Sequence, residues 1–156
     1  SSIKTLLSHN YEIIKQSSYY ETPSYPDKSN PKFINMSISI KNKNSNTSEI
    51  EKVKRLMEII LQIENTYGRK RNKKNEPRAI DIDIIDFNGR IIEFTFAGDK
   101  KIKVPHERLA LRNFVLFPLK EICPDWTHPF TGKSIDHLIN ELSQIDKNSI
   151  LKVQQT

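Results

Sequence analysis

The chain has 156 residues, 36% of them hydrophobic, with a mean hydropathy of -0.60, which suits one domain with a real core. No apolar run reaches bilayer-spanning length, no signal-peptide pattern opens the chain, and a lone cysteine, Cys123, excludes a disulfide framework or a cysteine-rich zinc site. The expected setting is therefore cytoplasmic and reducing. A net charge of +6 favours anionic partners, whether a nucleic acid or a polyanionic nucleotide.

In chain order, residues 3–8 read as the end of a helix, and a strand follows through Tyr11–Tyr20. Pro23, Pro26 and Pro31 then mark a loop. Phe33–Ile40 alternates as a strand, with Ile34, Met36, Ile38 and Ile40 on one side and Phe33, Asn35, Ser37 and Ser39 on the other. Ser48 with Glu51 three residues on forms a capping box. Behind it, Ile50, Val53, Leu56, Met57, Ile60 and Ile63 make a helical stripe that Gly68 is placed to end. A basic loop, Arg69 to Glu76, leads into Pro77-Arg78-Ala79-Ile80-Asp81-Ile82-Asp83-Ile84-Ile85, which reads as a buried strand. Asn88-Gly89 signals a hairpin to a strand over Arg90–Phe96, and Lys100–Val104 is a further short strand. Glu107–Leu111 is a short helix or turn, and Ser134–Leu142 a helix with Ile135, Leu138, Ile139 and Leu142 inward. Strands interleaved with helices predict an α+β fold in two or three layers.

The aspartate strand carries the most chemical information. Alternation puts Ile80, Ile82 and Ile84 on one face and Asp81 and Asp83 on the other, about 7 Å apart. At that spacing each carboxylate holds its own divalent cation, or both share a pair; two solvent-facing aspartates are the plainer alternative. Arg69, Arg71 and Arg78 lie just upstream, and a guanidinium fork binds phosphate bidentately. The basic run equally fits a solvated loop or an RNA-contacting patch. Val104-Pro105-His106 followed by Arg112-Asn113-Phe114 offers a further phosphate contact, whereas His9, His128 and His137 have no such company. Thr22 before Pro23, with Phe33 and Asn35 on one face of the next strand, suits a flat heterocycle that needs stacking and an amide partner; core packing explains Phe33 equally well.

Taken together, Ser17-Ser18-Tyr19-Tyr20-Glu21-Thr22-Pro23, Asn30 to Asn35, Ile63-Glu64 with Gly68-Arg69-Lys70-Arg71, Pro77 to Asp83, and Val104-Pro105-His106 through Arg112-Asn113-Phe114 to Leu119 resemble 6-hydroxymethyl-7,8-dihydropterin pyrophosphokinases of folate biosynthesis. The resemblance covers most of the chain. It implies a single pyrophosphokinase domain over residues 1–156 with a ferredoxin-like α/β sandwich, a mostly antiparallel sheet carrying packed helices. It also implies transfer of pyrophosphate from ATP to the pterin hydroxymethyl group, releasing AMP. By the same resemblance Asp81 and Asp83 hold two Mg2+ ions, while Arg69 and Arg78 neutralise the transferring group. Glu64, Arg71, Ile82, Lys101, His106 and Arg112 lie along ATP. Thr22, Pro23, Phe33, Asn35 and Phe114 hold the pterin, with the two phenylalanines sandwiching it. Fusion or association with other folate enzymes is a further implication.

The sequence departs from the family pattern in two places. The usual opening strand with its Gly-Ser-Asn loop has no counterpart, so the domain is expected to be N-terminally incomplete. Asn75 and Glu76 stand where many relatives carry a tryptophan and a small residue. Two competing readings remain at this level. One is a truncated homologue that is catalytically impaired or serves as a scaffold. The other is a basic nucleic-acid-binding module, although carboxylates facing the arginines have no role in it.

Overall fold

A computed structural model describes residues 7–8, 10–23, 32–43, 47–68 and 80–153. The elements run β1 (Tyr11–Gln16), β2 (Tyr19–Thr22), β3 (Phe33–Asn35), β4 (Ile38–Asn42), α1 (Glu49–Gly68), β5 (Ile92–Phe96), β6 (Lys100–Val104), a 3-10 turn (Leu109–Leu111), α2 (Asn113–Ile122), α3 (Ile135–Glu141), α4 (Gln144–Asn148) and β7 (Leu151–Val153). The ladders are β1–β4, β3–β2–β7 and β5–β6, each pairing antiparallel. This is an α+β fold, consistent with the ferredoxin-like arrangement.

The strand expected over Tyr11–Tyr20 is two strands, and so is the one over Phe33–Ile40. Both break where Ser17 faces Ser37. Ser17 Oγ accepts the Ser37 N–H at 2.8 Å and donates to the Ser18 carbonyl at 2.8 Å, so a side chain replaces part of the ladder. The expected single-sided alternation fails with it. Ile38 and Ile40 pack against the core, but Ile34 is 55% exposed and Ser37 is buried, because the chain turns over at the break.

Helix α1 starts as expected, with Ser48 Oγ accepting the Glu51 N–H at 3.3 Å. Val53, Leu56, Ile59, Ile60 and Ile63 are buried along it. Ile50, expected inward, is 41% exposed in the first turn, and Ile59 widens the buried stripe instead. The hairpin signal at Asn88-Gly89 is a tight turn with positive φ at both residues (55° and 68°), which a glycine tolerates freely.

The aspartate segment is extended but joins no ladder among the described residues. Its expected alternation nonetheless holds through Ile84, with Asp81 and Asp83 exposed and the isoleucines part-buried. The Ile82 N–H is donated to Glu64 Oε2 (3.0 Å) near the end of α1. Ile82 and Ile84 pack on the α1 core, Ile84 also on the Val53–Ile92–Val104 cluster, and Ile85 on the Leu116–Ile135–Leu138 cluster. The segment thus lies where three apolar clusters meet.

Helix α2 has no counterpart among the sequence expectations. Pro118 sits inside it, and its apolar residues run round most of the circumference rather than along one stripe. Its first residue, Asn113, is buried and donates to the Asp146 carbonyl at 2.8 Å and Ser149 Oγ at 3.2 Å, fixing the helix start to α4. Ser134 caps α3 by accepting the His137 N–H at 3.1 Å. Just before α3, His128 is buried, and its Nδ1 accepts the N–H groups of Phe130 (3.1 Å) and Thr131 (3.4 Å). Burial, and secondarily Lys103, lower its pKa. His137 is paired with Glu141 at 2.7 Å on the surface.

Candidate active site

Three of the expected site residues line one small, apolar-walled cleft. Asp83 enters it from the extended segment, His106 from the turn after the cis Val104–Pro105 bond, and Arg112 from the residue preceding α2. Ile84, Ile85, Leu109 and Val115 complete the lining. The Arg112 guanidinium lies 3.7 Å from Asp83 Oδ2 and also stands 5.7 Å over the Phe114 ring. That one cation therefore connects the carboxylate end of the cleft to an aromatic face. His106 Nδ1 accepts the Arg108 N–H at 3.0 Å, which fixes the ring at the cleft edge and directs Nε2 away from that bond.

A second set of residues shares one face of the β3–β2–β7 sheet. Antiparallel register places Thr22 opposite Phe33 and Tyr20 opposite both Asn35 and Lys152. Residues directly opposite share a face, as do residues two apart in one strand. Tyr20, Thr22, Phe33 and Asn35 therefore point the same way, towards α2, which packs on β2 and β3. Thr22 is buried and Asn35 part-buried, while the Phe33 ring is 50% exposed. Core packing does not account for an aromatic ring left half in solvent beside a part-buried amide. Pro23 follows Thr22 and is part-buried.

The frame between these sets has its own polar anchor. Glu121, near the end of α2, receives four hydrogen bonds on two oxygens. Ser18 N–H donates at 2.8 Å and Tyr20 O–H at 3.0 Å to Oε2, while Ser18 Oγ donates at 2.7 Å and Lys152 Nζ at 3.2 Å to Oε1. Burial pushes the Glu121 carboxyl upward, but the bonds from Ser18, Lys152 and Tyr20 outweigh it and hold the pKa below the usual carboxylate value. Burial and the facing carboxylate push Tyr20 the other way, to about 12. Sequence reasoning missed Glu121. Its only signal was an acid in a mostly apolar segment, and the Ser18 and Tyr20 donors are about a hundred residues away.

Other expected residues fall elsewhere. Glu64 and Ile82 are joined to each other by the bond from the Ile82 N–H, so they brace the aspartate segment. Lys101 lies opposite Thr95 on the exposed side of the β5–β6 hairpin and does not line the cleft, because Ile102 takes the inward position beside it. Arg69, Arg71 and Arg78, with Asn75 and Glu76, lie outside the described residues. The described residues contain no cluster of three or more metal-ligating side chains. Asp81 and Asp83 still offer two exposed carboxylates on one side of an extended segment, a hard oxygen donor set that suits magnesium with its remaining positions filled by water or phosphate. No helix among the described residues is long and apolar enough to cross a membrane.

A family model described as 7,8-dihydro-6-hydroxymethylpterin-pyrophosphokinase matches residues 1–124. The chain is 40% identical over 124 residues to the 2-amino-4-hydroxy-6-hydroxymethyldihydropteridine pyrophosphokinase of Bacillus subtilis, covering 80% of this chain and 67% of the relative. Identity to the Synechocystis protein of the same name is 39% over 87 residues, 56% of this chain and 42% of that one. Identity to folic acid synthesis protein FOL1 of Dictyostelium discoideum is 33% over 121 residues, 78% of this chain but only 18% of a much longer protein. The chain therefore spans less than half the length of two of these relatives. Thr22, Asp83, His106 and Arg112 all lie within the matched span, and the chain belongs to the 7,8-dihydro-6-hydroxymethylpterin-pyrophosphokinase family.

Proposed function

We propose that this chain transfers the terminal pyrophosphate of ATP to the hydroxymethyl oxygen of 6-hydroxymethyl-7,8-dihydropterin, giving the pterin pyrophosphate and AMP. The bond formed joins the hydroxymethyl oxygen to the β-phosphorus, the bond broken is that between the β-phosphorus and the α–β bridging oxygen, and the hydroxyl proton is released. Transfer of this kind depends on alignment and charge neutralisation, and no nucleophilic side chain is needed. The observation that most supports the reading is the meeting of Asp83, His106 and Arg112 in one cleft, from three separate segments.

In this reading the triphosphate lies over the cleft, with Arg112 and His106 on its oxygens and Arg71 and Lys101 further along the nucleotide. Glu64 holds Ile82 and so keeps the aspartate segment straight beneath it. Asp81 and Asp83 would hold two magnesium ions, which when bound neutralise the polyphosphate and lower the pKa of the attacking hydroxyl. Arg69 and Arg78 carry compensating charge to the transferring group. The pterin enters the face formed by Thr22, Pro23, Phe33 and Asn35 and is covered by Phe114. Thr22 and Asn35 read its ring edge, and the two aromatic rings stack on it. The longer folate-synthesis relative is compatible with a chain that works beside other enzymes of that route.

The test is AMP formation by the chain with ATP, pterin and magnesium. Turnover is expected to need all three and to stop on chelation with EDTA. Turnover that persists under chelation refutes the metal assignment, and ATP cleavage indifferent to pterin refutes the acceptor.

A further inference from the structure

Glu121 lies outside every motif that carries the proposed chemistry, yet it is the most heavily bonded carboxylate among the described contacts. Its four donors come from two separate strands, Ser18 and Tyr20 at β2 and Lys152 in β7. Ser18, Tyr20 and Thr22 alternate along one strand, so the two residues that grip Glu121 and the residue placed at the pterin edge share a face. Tyr20 and Thr22 stand about 7 Å apart along it. On α2, Phe114 and Glu121 are seven residues apart, two turns on the same helical face and about 10.5 Å along the axis. The carboxylate thus joins two rigid arms. One ends in Phe114, and the other carries Thr22, with Phe33 directly opposite.

We infer that Glu121 is a positioning residue, a clamp whose bonds to Ser18 and Tyr20 set the gap between α2 and the β2–β3 face and thereby the width of the pterin slot. The inference rests on the proposed pterin site and deepens it. A stacked heterocycle demands a fixed ring-to-ring separation, because dispersion contact is forfeited over a fraction of an ångström. The polyphosphate makes no such demand on this gap. Its partners Asp83 and His106 stand on other segments, and the start of α2, with Arg112 and Phe114, is fixed independently by Asn113, so the arm that the clamp positions is the β2–β3 face. The clamp should accordingly act on one substrate and spare the other.

The experiment compares the full chain with E121A, E121Q, Y20F and K152A, measuring dissociation constants for pterin and for a non-hydrolysable ATP analogue with magnesium. E121A is expected to weaken pterin about 10-fold or more and the nucleotide less than 2-fold, the scale of a lost hydrogen bond to a charged group. Y20F removes a single donor and is expected to weaken pterin about 3-fold, which also covers the case in which E121A does not fold. In E121Q the one remaining oxygen still accepts from the fixed Ser18 N–H, so pterin affinity is largely rescued. K152A leaves the β2 bonds in place and pterin affinity unchanged. Equal weakening of both ligands by Y20F and E121A overturns the inference, as does unchanged pterin binding in both variants. A wild-type chain that binds the nucleotide but no pterin overturns the reading of the slot itself, and the clamp with it.

Discussion

The cleft around Asp83 and the helical region behind it are built on opposite principles. The cleft is small and apolar-walled, with Asp83 and His106 exposed at its rim, and its polar ties are one hydrogen bond from Ile82 to Glu64 and a 3.7 Å ion pair from Arg112 to Asp83. Behind it, Leu116, Ile135 and Leu138 are almost completely buried, and three polar fixtures at Asn113, Glu121 and Ser134 hold the helices. On the proposed reading, the contrast teaches that the reacting groups stand on exposed side chains of a segment whose apolar side is held by the core, with their spacing set by the helices behind it. Each region should therefore fail in its own way when altered.

The sharpest separation is expected at the aspartates. Asp81→Asn and Asp83→Asn should each lower AMP formation by about 1,000-fold or more while the thermal midpoint barely moves, since both side chains are exposed. A large fall in thermal midpoint would merge the two regions. The converse change is Leu138→Ala, where an apolar side chain leaves a closed cluster. Urea unfolding should show a loss of about 2–5 kcal/mol, with pterin and nucleotide KM little altered in the folded fraction. Arg112→Ala tests the seam between the regions, and nucleotide affinity should fall about 10-fold with little change in stability, because the pair to Asp83 is partly exposed. Ser134→Ala removes a cap far from the cleft and should cost about 1 kcal/mol with activity intact.

The smallest expected effect is on the pH profile of stability. Glu121 is depressed in the fold, so its contribution is complete above the unfolded carboxylate range and disappears as pH falls through the lowered native value. Tyr20 is raised, so its contribution is complete below pH 10.0 and is lost as pH rises through about 12. Tyr20→Phe should flatten the alkaline limb in a denaturation series. An unchanged alkaline limb would mean that neither burial nor Glu121 raises Tyr20 in the fold.

Local signals were legible wherever the cause is local. The Ser48 cap, the Asn88-Gly89 turn, the β6 bounds and the inward face of α3 all follow from residues a few positions apart. The alternation that exposes Asp81 and Asp83 was legible too, as was the nearness of His106 to Arg112. What stayed hidden depends on distant partners. The break at Ser17 exists because its hydroxyl finds the Ser37 N–H twenty residues on, and a strand pattern gives no sign of that. Helix α2 escaped because Pro118 breaks the usual rule and the unbroken apolar run from Phe114 to Leu119 blurs its period. Ile50 and Ile59 exchanged places because which turns of a helix the core covers is a tertiary matter. The Glu121 clamp needed the fold before its donors could be seen.

The buried histidine ahead of α3 carries a consequence for spectroscopy. With Nδ1 already accepting two backbone amides, the imidazole proton is confined to Nε2, and a single tautomer should dominate the 15N spectrum of His128. A proton added to Nδ1 would face two N–H groups with no lone pair to offer. Strong acid should therefore loosen the Phe130–Thr131 turn before α3 itself unravels, visible as early amide exchange at those two positions.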